Sequence, residues 1–287
     1  MRCEMERAAI DYESFGSGIP LVVLHGMPLD RHASIHEFEP ILSARAGWRR
    51  IYPDLPGHGR SPAAAAITTP DELLAVLAEF VTATLGDARF VLAGTSFGAY
   101  LARGLVHLLA DRVDGVCLNV PAVVRDPAGT RARRVILAGE AAITAQARQA
   151  GWAWYGELAV TDSAANREYG AAVNAATVDA AYLEALHGPM TPCSFEAVPL
   201  AEPFPAPVLV MAGRQDSVVG YESVWGILPS YPRATLAVLD RAGHMLRGEQ
   251  PGLFTALVNE WLDRVEEWIG SPTGAPAVSG EKDREKR

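Results

Sequence analysis

The chain has 287 residues, 49% of them hydrophobic, and a formal net charge of −9. That length is near the upper size of a single hydrophobic core, so one domain carrying an insertion is the natural organisation. The acidic balance argues against nucleic acid or an anionic membrane as the main partner. No apolar run approaches the ~20 residues that a membrane-spanning helix requires.

Met1 to Ile10 is charged and has no apolar segment of the kind a secretory leader needs, so none is expected. From about residue 10 to 120, strand and helix patterns interleave. A doubly wound, mostly parallel sheet flanked by helices demands that order. Pro20 to Leu24 reads as an apolar strand that runs into His25-Gly26-Met27-Pro28, and Ile51 to Asp54 as another that runs into Pro56-Gly57-His58-Gly59. Asp71 to Leu85 reads as an amphipathic helix, with Leu74, Leu77, Val81 and Leu85 at helical spacing behind Thr69-Pro70.

The most informative segment comes next. Phe90 to Ala93 is a short apolar strand, Gly94-Thr95-Ser96-Phe97-Gly98 is Gly-x-Ser-x-Gly, and a helix starts at once. Strand, turn and helix in that order form a nucleophile elbow, in which a strained turn lifts a serine hydroxyl out of the sheet. Side chains two residues before or after Ser96 would collide with the chain, which explains glycine at Gly94 and Gly98. The backbone N–H of Phe97, at the helix start, faces the reacting oxygen.

A further strand, here β6, follows at Val116 to Val120. Asn119, near its end, is polar but cannot serve as a carboxylate. From about Arg125 to Pro205 the strand signal vanishes into Ala-rich helical runs, at Arg131 to Ala150, Ala164 to Thr177 and Val178 to Leu186. Pro199, Pro203, Pro205 and Pro207 mark a stiff return to the sheet. Two strands then each end in a polar loop. Pro207 to Gly213 leads to Asp216, and Thr235 to Leu239 leads to His244, so both polar residues lie at the carboxyl edge where α/β sheets bind ligands. A last helix spans Gly252 to Trp268, and residues 271–287 are small, polar and charged, reading as a disordered tail. Cys3, Cys117 and Cys193 are widely spaced and odd in number, with no metal or disulfide pattern, which fits a reducing cytoplasm.

A nucleophilic serine needs a base, and the base an orienting acid; Ser96, Asp216 and His244 occur in that order. Of the seven histidines, His244 fits the base, in a polar loop directly after a strand; His25, in the loop after Leu24, is expected to brace backbone rather than titrate. His58 lies in a glycine turn, His107 in the helix after Ser96, and His187 in the middle segment. His32 and His36 follow the His25 loop. With these motifs the chain resembles the α/β-hydrolase fold superfamily over roughly residues 8 to 268. The resemblance implies a core from 1–124 and 206–270, with a helical cap (125–205) inserted after strand β6 to roof the site. It implies that Met27 N–H is the second oxyanion donor beside Phe97, and that no metal and no cofactor is needed.

The reaction so implied is two-step acyl transfer, with an ester or lactone of a small, largely apolar molecule as substrate. Pocket candidates are His25, Leu29, Trp152, Trp154, Tyr155 and Met245, although aromatic clusters are more often core than ligand contacts. Arg125 could meet a substrate carboxylate or be an ordinary surface arginine. Haloalkane dehalogenases and epoxide hydrolases carry aspartate where Ser96 stands. Proline iminopeptidases present an extra glycine in the His25 loop, and carbon–carbon bond hydrolases usually have Trp where Met245 follows His244. Carbon–carbon hydrolysis or a lyase reaction on the same triad, transfer to an acceptor other than water, and a ligand receptor on a hydrolase scaffold stay open as alternatives. No oligomeric state is assigned.

Overall fold

The computed structural model describes residues 1–123, 158, 160, 163–187, 192–197 and 200–271. Eight strands form one sheet: β1 (Arg2–Glu4), β2 (Ala9–Phe15), β3 (Ile19–Leu24), β4 (Trp48–Pro53), β5 (Phe90–Thr95), β6 (Val113–Asn119), β7 (Val208–Gly213) and β8 (Ala234–Leu239). Their spatial order is β1-β2-β4-β3-β5-β6-β7-β8. β2 pairs antiparallel with β1 and β4, and the remaining neighbours pair parallel.

The helices are α1 (Arg31–Leu42), α2 (Pro70–Leu85), α3 (Phe97–Leu109), α4 (Ala164–Asn174), α5 (Ala180–His187), α6 (Leu246–Glu249) and α7 (Pro251–Gly270). α2 begins as its sequence dictates. Thr69 accepts from Glu72 N–H while Glu72 reaches back to the Thr69 N–H, a capping box with proline in the first turn.

Strand side chains alternate between two buried layers. Val22, Leu24, Leu92, Val116 and Leu118 face a core with α2 and α3, including Leu77, Phe80 and Tyr100. Leu21, Val23, Val91, Ala93 and Cys117 face the other, with Phe38 and Leu42 of α1 and Phe254, Trp261 and Leu262 of α7. Burial on both faces is why these strands read as unbroken apolar runs rather than as alternating ones. Cys117 is a buried small hydrophobe, as expected, and Cys3 and Cys193 are also free thiols.

The strand order places the site. After β3 the chain turns to one side to form β4, then crosses over β3 to form β5. The winding reverses at the carboxyl ends of β3 and β5, the point where open α/β sheets bind their ligands. Leu24 and Gly94 are register partners there, so the segments that follow them, His25–Met27 and Ser96, emerge side by side.

Between β6 and β7 the described chain is helical, with α4, α5 and a short 3-10 turn at Ser194–Glu196. The connector between α4 and α5 docks on the turn after β4. Gly59 N–H donates to Thr177 O at 2.8 Å, and Asp179 N–H to Gly57 O at 2.8 Å. Among the described residues no helix is long and apolar enough to cross a membrane, and no cluster of His, Cys, Asp or Glu could hold a metal ion. The expected helix at Arg131 to Ala150 and the tail lie outside the described residues. Charged Arg2–Glu4, which carries no strand signal in the sequence, pairs as an edge strand on β2.

Candidate active site

Ser96 sits at the N-cap of α3 with φ 56 and ψ −115, a left-handed backbone that a non-glycine residue adopts only under constraint. The two glycines explain how the turn closes. A Cβ on Gly98 would come within 2.2 Å of the Leu24 carbonyl oxygen, and one on Gly94 within 2.5 Å of the Gly98 backbone. The strand, the turn and the helix pack so closely that only hydrogen fits at both places.

Around the raised hydroxyl the chain assembles a hydrogen-bonded relay. The Ser96 Oγ lies 3.0 Å from His244 Nε2, and His244 Nδ1 lies 2.7 Å from Asp216 Oδ2. With a proton on Nδ1 donated to the carboxylate, Nε2 is left as an acceptor facing the serine. Asp216 is fully buried. Its second oxygen accepts the N–H groups of Val218 at 2.8 Å and Val219 at 3.0 Å, which fixes the carboxylate in its loop. Burial pulls the His244 imidazole down, but the charge and hydrogen bond of Asp216, with Glu249 and Glu37 beyond, outweigh it. The net effect holds the pKa above the ordinary histidine value.

The loop after β3 runs alongside. Gly26 lies against Ser96, where a Cβ would sit 3.3 Å from the serine Cβ. This places the backbone of Gly26 directly beside Ser96. His25 is 1% exposed and both its ring nitrogens are held by backbone: Nδ1–H donates to Gly26 O at 2.9 Å, and Nε2 accepts Leu55 N–H at 3.0 Å. Burial lowers its pKa to about 4, so it is a neutral brace tying this loop to the end of β4. Both polar atoms of the His25 ring are thus spent on the fold, as a backbone brace. His58 is its ring neighbour at 4.9 Å, and burial lowers its pKa to about 3.

Met245 too is packed rather than open. It is buried with Ala33, Tyr169 and Val173, and Leu29 lies partly buried against the same cluster. These residues join α1, α4 and the histidine loop into an apolar wall. Phe97 is also buried, its ring stacked on Tyr100 with centroids 5.8 Å apart. Tyr182 lies against Gly57, and Tyr169 is interior. Trp152, Trp154, Tyr155 and Arg125 lie outside the described residues. Of the other histidines, His32 and His36 are on α1, His107 is on α3 and His187 ends α5.

Sequence reasoning passed over a polar layer beneath the relay. Glu37 of α1 is buried and accepts the Thr95 hydroxyl at 2.6 Å on one oxygen and the Asn119 side-chain amide on the other. Glu249 is buried too. It accepts Gly243 N–H at 2.6 Å and Val160 N–H at 2.6 Å, one on each oxygen. Both carboxylates lie on helix faces whose burial depends on contacts from distant parts of the chain. Only Asn119 carried a signal, as the polar end of an apolar strand.

With this geometry in hand, the chain can be set beside known proteins. A model described as the alpha/beta hydrolase family matches residues 21–257. The chain is similar to an alpha/beta superfamily hydrolase from Oenococcus oeni PSU-1, with TM-score 0.81 and 26% identity over 93% of this chain and 99% of that one. It shares the fold of a thermophilic esterase from Thermogutta terrifontis, with TM-score 0.67 and 24% identity over 92% of this chain and 99% of that one. Lipase LipV of Mycobacterium tuberculosis is 40% identical over 84 residues, which span 29% of this chain and 31% of that protein's length.

Proposed function

The chain belongs to the alpha/beta hydrolase family, and from that premise we propose that it is a serine hydrolase cleaving a carboxylic ester or lactone through an acyl-enzyme. The observation that carries this reading is the unbroken chain from Ser96 Oγ through His244 to Asp216, with links of 3.0 and 2.7 Å. Those lengths are within proton-transfer reach without rearrangement.

In this reading Ser96 Oγ attacks the carbonyl carbon while its proton passes to His244 Nε2. Asp216 holds the ring in the useful tautomer and stabilises the imidazolium that forms. Negative charge grows on the former carbonyl oxygen, and the N–H groups of Phe97 and Met27 receive it. Phe97 begins a 13-residue helix, whose dipole adds positive potential at that point. Each such donor is typically worth ~100- to 1000-fold in rate. His244 then returns its proton to the leaving alkoxide, and water repeats the sequence on the acyl-enzyme. The α4–α5 segment would act as part of a cap, and the apolar wall of Leu29, Tyr169, Val173 and Met245 supports a small, largely apolar substrate.

The test is steady-state hydrolysis of p-nitrophenyl esters from acetate to decanoate by wild type and Ser96→Ala. Sustained turnover lost on substitution supports the reading, and the preferred chain length sizes the pocket. Equal activity in both proteins overturns Ser96 as nucleophile. Inactivity of both moves the reading to carbon–carbon cleavage or a receptor.

A further inference from the structure

The mechanism leaves one buried ionisable group unused, directly below the nucleophile. Glu37 belongs to α1, yet its carboxylate spans the ends of β5 and β6. Thr95, which it accepts from at 2.6 Å, immediately precedes Ser96. Asn119, which also donates to it, is the register partner of Thr95, and its backbone oxygen accepts the Ser96 N–H at 2.9 Å. Among the described residues, both places where non-glycine backbone has positive φ adjoin these contacts: Ser96 at 56 and Val120 at 39. The two strained residues of the site are thus each one peptide away from a side chain that Glu37 grips.

We propose that Glu37 is a positioning residue for the Ser96–His244 pair, its carboxylate clamping the strand ends under the serine and its negative charge strengthening His244 as a base. Burial raises its carboxyl to about 7, against the lowering pull of Thr95, Arg247, Asn119 and His244. It therefore changes charge in the range where His244 works, and the two ionisations are linked: the anion favours the imidazolium, and the imidazolium favours the anion.

The surroundings allow that charge to be felt. From α6, Arg247 Nε–H donates to the Glu37 main-chain oxygen at 3.2 Å and supplies the nearby positive charge. From β6 the Cys117 thiol, and from α4 the Tyr169 phenol, are buried neutral groups raised by desolvation and further by Glu37 itself. Glu249 adds a second negative charge from the far side of the histidine loop. On α4, Glu168 turns away to His36, at 3.5 Å.

The proposal separates from a purely structural role by the isosteric change Glu37→Gln. A glutamine amide can donate to Thr95 Oγ1 and accept from Asn119, as the protonated acid would, so the clamp survives while the charge does not. Removing a nearby anion lowers the affinity of His244 for its proton. NMR titration of the His244 imidazole in the full chain is expected to show a midpoint lower by half a pH unit or more in Glu37→Gln. The kcat/KM profile for p-nitrophenyl acetate is expected to move its acid limb by the same amount, with a plateau a few-fold lower. An unmoved His244 midpoint overturns the proposal, whatever happens to the rate.

A second measurement stands without the variant. Carboxyl-13C glutamate in wild type is expected to show the Glu37 side chain ionising by about neutrality. A Glu37 carboxyl that stays protonated across the whole range where His244 titrates overturns the proposal as well, because the charge would be missing. The kinetic arm alone rests on the serine-hydrolase reading. Should wild type fail to turn over ester, that reading falls while both titrations still decide the role of Glu37.

Discussion

Glu249 and Gly243 are joined by a hydrogen bond of 2.6 Å that fixes the loop carrying His244, and the same carboxylate holds Val160 of the inserted segment at 2.6 Å. The base and the segment beside it are thereby seated on one side chain. A close approach reinforces this seat: a Cβ on Gly248 would fall 2.5 Å from the Asn166 side-chain oxygen.

Glu249→Gln tests that coupling. Its amide can accept only one of the two N–H groups, leaving the other buried and unmade at a cost of ~1–3 kcal/mol. The expected result is a lower thermal unfolding midpoint and a fall in kcat of about 10- to 100-fold as His244 drifts from Ser96. Unchanged values of both would contradict the assignment.

In the proposed mechanism His244 must be neutral to accept the serine proton, and the pH dependence follows from that. Although burial lowers its pKa, Asp216 and the two glutamates raise it above 6.5 in sum. Activity is therefore expected to fall as pH drops through a midpoint above that value. Asp216→Asn removes the charge and the ionic hydrogen bond, so the midpoint should move down while kcat falls by roughly 10⁴, as for other Ser-His-Asp hydrolases. A midpoint that rises in this variant would be the wrong sign.

Gly98→Ala should be among the most damaging single changes in the chain, because its Cβ would press within 2.2 Å of the Leu24 carbonyl oxygen. Neither backbone can yield without opening the turn, and a loss of at least ~3 kcal/mol is expected. Gly252→Ala, with nothing within 4 Å of the added carbon, is the control. It should leave stability unchanged or raise it slightly. Chemical denaturation of the two variants decides between them.

Glu37 also has a thermodynamic signature. Its carboxyl is raised from 4.5 to about 7 in the fold, so the native state holds this proton more tightly than the unfolded chain. That contribution is full below about pH 4.5 and is lost as pH rises through 7. Glu37→Gln escapes the loss. Relative to wild type it should gain up to ~3 kcal/mol between pH 5 and pH 8, at 1.36 kcal/mol per pKa unit. Equal pH dependence in the two proteins would show that Glu37 ionises as an ordinary exposed acid.

The fold and the relay were legible because their signals are local. Gly94, Ser96 and Gly98 lie within five residues, and Asp216 and His244 each follow an apolar strand directly. Buried parallel strands announce themselves as continuous runs, which is why β5, β7 and β8 could be bounded to within two residues. The polar layer was not legible for the opposite reason. Glu37 and Glu249 look like helix-surface acids, and only the return of β6 under α1, or of residue 160 against α6, buries them. His25 and Met245 adjoin the reacting groups in sequence, but adjacency does not say which way a side chain turns: the His25 ring packs into the fold, and Met245 joins the apolar wall with Tyr169 and Val173. Cys117, by contrast, could be placed from its apolar neighbours alone.

The central claim is that Ser96 is the nucleophile. The most direct measurement is the intact and peptide mass of the protein after exposure to a fluorophosphonate, for wild type and Ser96→Ala. One adduct per chain on the peptide bearing Ser96, absent in the variant, is the predicted result. No adduct on the wild type, or one that persists in Ser96→Ala, would contradict it.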